Sequence, residues 1–137
     1  MKNLLTLFLL LSFLAATFAQ DADLYNLILH PRDRGAACLD GSPAGMYIHE
    51  GNGPNKNKFM IYFDSGGFCG AGSLSDTIES CYKRSFTSLG TTTVYKQQKS
   101  YEGYGLLSPK PEENPTFHDW TKIFAIYCDG SEHQGYR

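Results

Sequence analysis

The stretch Asp64-Ser65-Gly66-Gly67-Phe68-Cys69 stands directly after the apolar run Lys58-Phe59-Met60-Ile61-Tyr62-Phe63. A glycine pair at the carboxyl end of a strand lets the backbone turn sharply and brings N–H groups to a cavity with no Cβ in the way. Such N–H donors are what an acyl-transfer enzyme needs to hold the oxyanion of a tetrahedral intermediate. The backbone N–H groups at Gly66 and Gly67 are therefore candidate oxyanion-hole donors. The same residues also suit an ordinary tight turn.

Acyl transfer further needs a nucleophile, a base and an orienting acid. A serine nucleophile elbow reads Gly-x-Ser-x-Gly between a strand and a helix. Ser65 fails that pattern because Phe63 stands two residues before it, and Ser42 and Ser131 fail because each follows a glycine directly. Nothing in the spacing ties His30, His49, His118 or His133 to a serine. Glu112-Glu113 lies between prolines, where adjacent carboxylates make a solvated turn more often than a glycosidase pair, whose members flank the substrate from opposite sides. Tyr101, Tyr104, Phe117 and Trp120 are candidates for an aromatic sugar platform, although aromatics in a long loop more often pack that loop onto its domain.

The elements that must hold these residues read as strand, strand, helix, loop, strand. Met46–His49 follows a Gly/Pro turn, and 58–63 follows a Gly/Asn/Pro/Lys loop, so the two suggest a hairpin. Lys122–Tyr127 is a nearly unbroken apolar run, as in a strand covered on both faces. Leu27–Leu29 is a shorter candidate strand. A helix is predicted from about Asp76 to Ser88, with Asp76 and Glu79 as a capping pair and Gly90 to end it. Residues 101–120, rich in Gly, Pro and Asn, read as a long ordered loop. The pattern is the beginning of an α/β sheet.

The 137 residues allow at most one modest domain, and 42% hydrophobic with 19% charged residues is a globular composition. Twelve basic and fourteen acidic residues are interspersed, net −2. That excludes the clustered basic face of a nucleic-acid binder and the polybasic patch of a membrane-surface protein. Lys2, the apolar run Leu4–Ala16 and Thr17-Phe18-Ala19 make residues 1–19 a predicted signal peptide, cleaved after Ala19. The run is short for a membrane anchor, and no later segment is long and apolar enough to span, so no membrane span is expected after cleavage. In the secretory lumen, the four cysteines Cys38, Cys69, Cys81 and Cys128 suggest two disulfides, with three pairings open. No pair has zinc-ligand spacing.

Five stretches in order resemble the pectin acetylesterase family, Notum-like enzymes included. They are Cys38–Tyr47, Ile61–Cys69, Glu79-Ser80-Cys81 with Lys83-Arg84, Gly105–Ser108 with Glu113-Asn114-Pro115 and Trp120, and Tyr127–Gly130. The resemblance covers about Gly35 to Gly135. It implies the N-terminal portion of an α/β-hydrolase-like fold with a mostly parallel sheet, incomplete in this chain. It also implies a serine esterase acting on an acylated polysaccharide or acylated protein, with no cofactor, and the disulfides Cys38–Cys128 and Cys69–Cys81. Gly66 and Gly67 match the family's oxyanion-hole loop, which makes Phe68 the next backbone donor candidate; Phe68 stands where the family usually has tryptophan, and Asp64-Ser65 where it usually has Glu-Gly. The family's nucleophilic serine, acid and histidine lie in later motifs with no counterpart among these positions.

Two functions are thus expected to compete. One is a secreted, O-deacylating carboxylesterase-family chain that carries the oxyanion loop and no triad, inactive alone. The other is a non-catalytic secreted polysaccharide-binding module using the aromatic loop. Residues 20–137 alone are expected to fold poorly, because strand 122–127 should expose an unpaired apolar edge.

Overall fold

Buried and half-buried residues alternate along Gly45–His49 and along Thr121–Ala125, the signature of strands with one face in the core. The computed structural model describes residues 23–31 and 35–134; the signal-peptide expectation falls outside them. Five strands, β1 (Leu24–Leu29), β2 (Gly45–His49), β3 (Phe59–Phe63), β4 (Gln98–Ser100) and β5 (Thr121–Ala125), form one sheet in the order β3-β5-β2-β1-β4. Only β3 and β5 run parallel, while β5–β2, β2–β1 and β1–β4 are antiparallel. The sheet is mixed here, not mostly parallel. The parallel pair arises where residues 64–120 provide the long crossover that such a pair requires.

The expected hairpin of 46–49 with 58–63 does not form. Its connecting segment instead wraps the start of β5. Asn52 N–H donates to Asp119 O at 3.0 Å, and Thr121 N–H donates to Lys58 O at 3.0 Å. Gly51 N–H reaches Thr121 Oγ1 at 3.0 Å, with the Gly51 backbone so close that a Cβ would lie 2.5 Å from Asp119 O. These bonds seat β5 between β2 and β3, in a register that lines up Ile48, Ile123 and Ile61.

That register also corrects the expected exposed edge of strand 122–127. Both edges of β5 are paired; the edge strands of the sheet are β4 and β3, and on β3 Phe59, Ile61, Tyr62 and Phe63 are all exposed. One face of the sheet carries the core, built from Tyr25, Leu27, Tyr47 and Phe124 with Tyr101 and Leu107 from the loop. On the other face Ile28 and Ile61 are exposed and Ile48 and Ile123 half-buried, so β5 is not covered on both sides.

The helix α1 runs Leu74–Arg84, earlier than expected, because Ser73 caps it. Ser73 Oγ accepts the Asp76 N–H at 3.1 Å and donates to the Asp76 carboxylate at 2.7 Å, so Asp76 is the third helical residue, paired with the cap, and not the cap itself. Gly90 closes a turn after the helix, its N–H on Thr87 O at 2.9 Å. Residues 101–120 form the long ordered loop, stapled by the buried Asn114, whose Nδ2 donates to Leu106 O at 2.8 Å and Ser108 O at 3.1 Å. The disulfides are Cys38–Cys128 and Cys69–Cys81. Closing 90 and 12 residues of chain, they stabilise by about 4–5 and about 3 kcal/mol in the chain-entropy account.

Candidate functional site

The chain leaves β3 at Phe63 and turns over the end of β5. Asp64 N–H still completes the sheet on Ala125 O at 3.0 Å, and Ser65 N–H is taken by the Asp64 carboxylate at 3.0 Å. Gly66 then passes so close to the Tyr127 ring that a Cβ would lie 2.3 Å from two ring carbons, which only glycine permits. Gly67 has φ +66°, the left-handed region that favours glycine. Cys69 N–H returns to Gly130 O at 3.2 Å, and the Cys69–Cys81 disulfide ties the loop to α1.

Three consecutive carbonyls of this loop are held from one side chain. Arg84, the last residue of α1, donates from Nη1 to Gly66 O at 3.0 Å and to Gly67 O, and from Nη2 to Phe68 O at 3.2 Å. The fully buried Tyr127 also donates its hydroxyl to Gly67 O at 2.7 Å. The peptides are trans, so each N–H opposes the carbonyl of the residue before it. Drawing the carbonyls of Gly66 and Gly67 toward Arg84 turns the N–H groups of Gly67 and Phe68 the other way. Neither N–H meets an acceptor among the described residues.

Beside the loop, a cavity of about 560 Å³ is lined by His30, Phe63, Ile126, Asp129, Ser131 and His133, among others. It brings a serine, a histidine and an aspartate together without forming a triad. Ser131 Oγ donates to Asp129 at 2.8 Å, while His133 Nε2 lies 2.9 Å from Asp64 O and so faces the backbone, not the serine. Burial pushes the Asp129 carboxyl up, but the Ser131 hydroxyl and the Ser131 and His133 N–H groups outweigh it and hold it below the usual range. Glu132 and His133 both have positive φ, 57° and 59°.

The other sequence candidates are structural. Ser42 is buried, donates to Asp40 at 2.6 Å and accepts Thr92 N–H at 3.0 Å, which ties strand β2's entry to residues 91–92. Glu113 accepts Gly103 N–H at 2.6 Å and is held below the usual carboxylate range by hydrogen bonds from the Ser108 hydroxyl and that N–H. Tyr101 is buried against Tyr25, whereas Phe117 packs edge-on to Trp120, so the four loop aromatics form two separate groups and no common platform. Arg84 and Tyr127 were not singled out as site residues by sequence reasoning. Both stand in stretches that carry the family resemblance, Lys83-Arg84 and Tyr127–Gly130, but nothing there marked either as holding the glycine loop.

Residues 17–137 match the family model for Pectinacetylesterase. The chain belongs to that family. It is 37% identical over 117 residues to pectin acetylesterase 4 of Arabidopsis thaliana, covering 84% of this chain and 27% of that protein. It is 30% identical over 98 residues to the human palmitoleoyl-protein carboxylesterase NOTUM, covering 72% of this chain and 18% of that one. The relationship is therefore to carboxylic-ester hydrolases. The structure of the Wnt deacylase Notum from Drosophila superposes with a TM-score of 0.61 at 26% identity, over 76% of this chain and 28% of that chain, which gives the α/β-hydrolase-like fold. The chain thus spans 18 to 28% of the length of these relatives.

Proposed function

We propose that residues 20–137 are the N-terminal part of a pectin-acetylesterase-like α/β-hydrolase domain, entering the secretory pathway by the leader 1–19. In this reading Gly66, Gly67 and Phe68 form the oxyanion-hole loop of an O-deacylating hydrolase. A serine from outside these 137 residues attacks the ester carbonyl carbon, and the carbonyl oxygen becomes an oxyanion. The N–H groups of Gly67 and Phe68 receive that charge. A base, also from outside these residues, takes the serine proton and returns it to the leaving alcohol as the intermediate collapses; water then hydrolyses the acyl-enzyme, which frees the acid and restores the serine. The acyl group sits on a polysaccharide or a protein, the classes named for the plant and animal relatives.

The observation that carries this reading is the turning of the Gly66 and Gly67 carbonyls onto Arg84, which leaves two adjacent N–H donors without an acceptor among the described residues. The test is the transcript beyond Arg137. An in-frame Gly-x-Ser-x-Gly elbow is expected, and the extended secreted protein should release p-nitrophenol from p-nitrophenyl acetate while residues 20–137 do not. A verified stop codon after Arg137 would end the esterase reading.

A second reading has one observation behind it. The zebrafish protein named inactive palmitoleoyl-protein carboxylesterase notum1b is 30% identical over 104 residues, 76% of this chain and 69% of that protein. A short, non-catalytic family member is thus the second reading, a secreted module that would bind polysaccharide elsewhere than on the split loop aromatics. Glycan-array binding by residues 20–137 supports it, and an empty array removes it.

A further inference from the structure

Arg84 spends its guanidinium on three consecutive carbonyls, those of Gly66, Gly67 and Phe68, and no carboxylate pairs with it among the described residues. A half-buried arginine on a surface helix ordinarily meets an acid or water. Here the planar fork spans a backbone segment that a point-charge ammonium cannot span. Arg84 is also the last residue of α1, where its charge meets the negative end of the helix dipole. The Cys69–Cys81 bridge sets the distance between helix and loop. Tyr127 holds Gly67 O from the β5 side, with its ring against Gly66.

We propose that Arg84 is the positioning residue of the Gly66–Phe68 loop, with Tyr127 as its second support; this rests on the oxyanion reading above. Arg84 fixes the peptide planes so that the Gly67 and Phe68 N–H groups point to one side. A cation on the carbonyl oxygens also polarises those peptides, which makes the same N–H groups stronger donors. The charge itself stays behind the loop and does not touch the substrate.

The experiment uses the full secreted protein, 15N-labelled, at low concentration, as wild type, Arg84→Met, Arg84→Lys and Tyr127→Phe. Residual dipolar couplings report the N–H directions, and methylphosphonate is the oxyanion probe. Arg84→Met is expected to change the couplings of Gly67 and Phe68 while those of β2 and β5 stay as in wild type. Arg84→Lys should restore them only in part, and Tyr127→Phe should move Phe68 more than Gly67. Unchanged couplings at Gly67 and Phe68 in Arg84→Met, or full restoration by lysine, overturn the positioning role. Should Arg84→Met lose the sheet couplings as well, Arg84→Lys and Tyr127→Phe decide the matter by the same criteria. Methylphosphonate is expected to shift the wild-type Gly67 and Phe68 amide signals, and less so in Arg84→Met. Reoriented couplings with no wild-type response to methylphosphonate would uphold Arg84 as positioner and reject the loop as an oxyanion site.

Discussion

Replacing Gly66 by alanine tests whether the loop is as tightly set as its contacts imply. The added Cβ would lie 2.3 Å from Cδ1 and Cε1 of Tyr127 and 2.9 Å from Leu89 Cδ2. Tyr127 is fully buried and its hydroxyl is engaged on Gly67 O at 2.7 Å, so the ring has nowhere to retreat without breaking that bond. Overpacking of this kind costs about 1–3 kcal/mol. The broken hydrogen bond adds about 1 kcal/mol. The expected destabilisation is therefore about 2–4 kcal/mol. Gly67→Ala is the internal control. It meets open space but must hold φ +66° with a Cβ, at about 1–2 kcal/mol. Equilibrium urea unfolding of secreted residues 20–137, followed by near-ultraviolet circular dichroism at low concentration, measures both. Gly66→Ala within about 0.5 kcal/mol of wild type, the range of an ordinary surface substitution, would refute the argument. So would a Gly67→Ala that costs clearly more.

Other perturbations read other parts of the molecule. Lys122 is fully buried, and burial lowers its ammonium to about 8 from the ordinary 10.5, opposed by Asp119. A base depressed in the folded state binds fewer protons there than in the unfolded chain, so stability should rise with pH between those two values. The gain from pH 7 to 9.5 is about 2 kcal/mol; it should vanish in Lys122→Met, and an identical slope in both proteins would reject the assignment. Above pH 10 the effect reverses, because burial raises the Tyr25 and Tyr101 hydroxyls and the unfolded tyrosines ionise first. Replacing both Cys38 and Cys128 by serine should cost more than replacing both Cys69 and Cys81, by about 1–2 kcal/mol in denaturant midpoints converted to free energy. The open edge of β3 should make residues 20–137 self-associate as concentration rises in size exclusion, and Ile61→Lys should reduce that. A monodisperse wild type at all concentrations would show that the edge is protected.

The sequence made most elements legible because the strands announce themselves locally. The runs at 58–63 and 122–127 are apolar and short, and each stands where β3 or β5 forms. Their partners were not legible. Pairing depends on where residues 51–58 run, and that is decided by bonds to Asp119 and Thr121 some 65 residues away in sequence. Two turn-forming segments read as one hairpin until those bonds are known. β4, Gln98–Ser100, carries no apolar pattern at all; it exists because β1 offers it an edge. The helix start slipped for a chemical reason, since both Ser73 and Asp76 are good caps and only geometry shows which accepts the other's N–H.

The candidate site divides along the same line. Gly66-Gly67-Phe68 was visible because glycine at a strand end is a local constraint on the backbone, and the backbone obeys it: one glycine faces a ring, the other holds a positive φ. What aims the N–H groups was invisible. Arg84 lies 16 to 18 residues from the carbonyls it binds, and Tyr127 sixty. An arginine in the last turn of a helix has an ordinary explanation in the helix dipole, and a tyrosine closing an apolar run has one in core packing. Both explanations are true here and neither is complete. In the proposed reading the loop can turn its N–H groups outward because two of its residues are glycines; it turns them in one direction because a cation and a phenol hold its carbonyls from behind. A glycine loop without that backing would have the same sequence motif and no fixed donor geometry. The motif is therefore evidence for an oxyanion site only together with the residues that hold it.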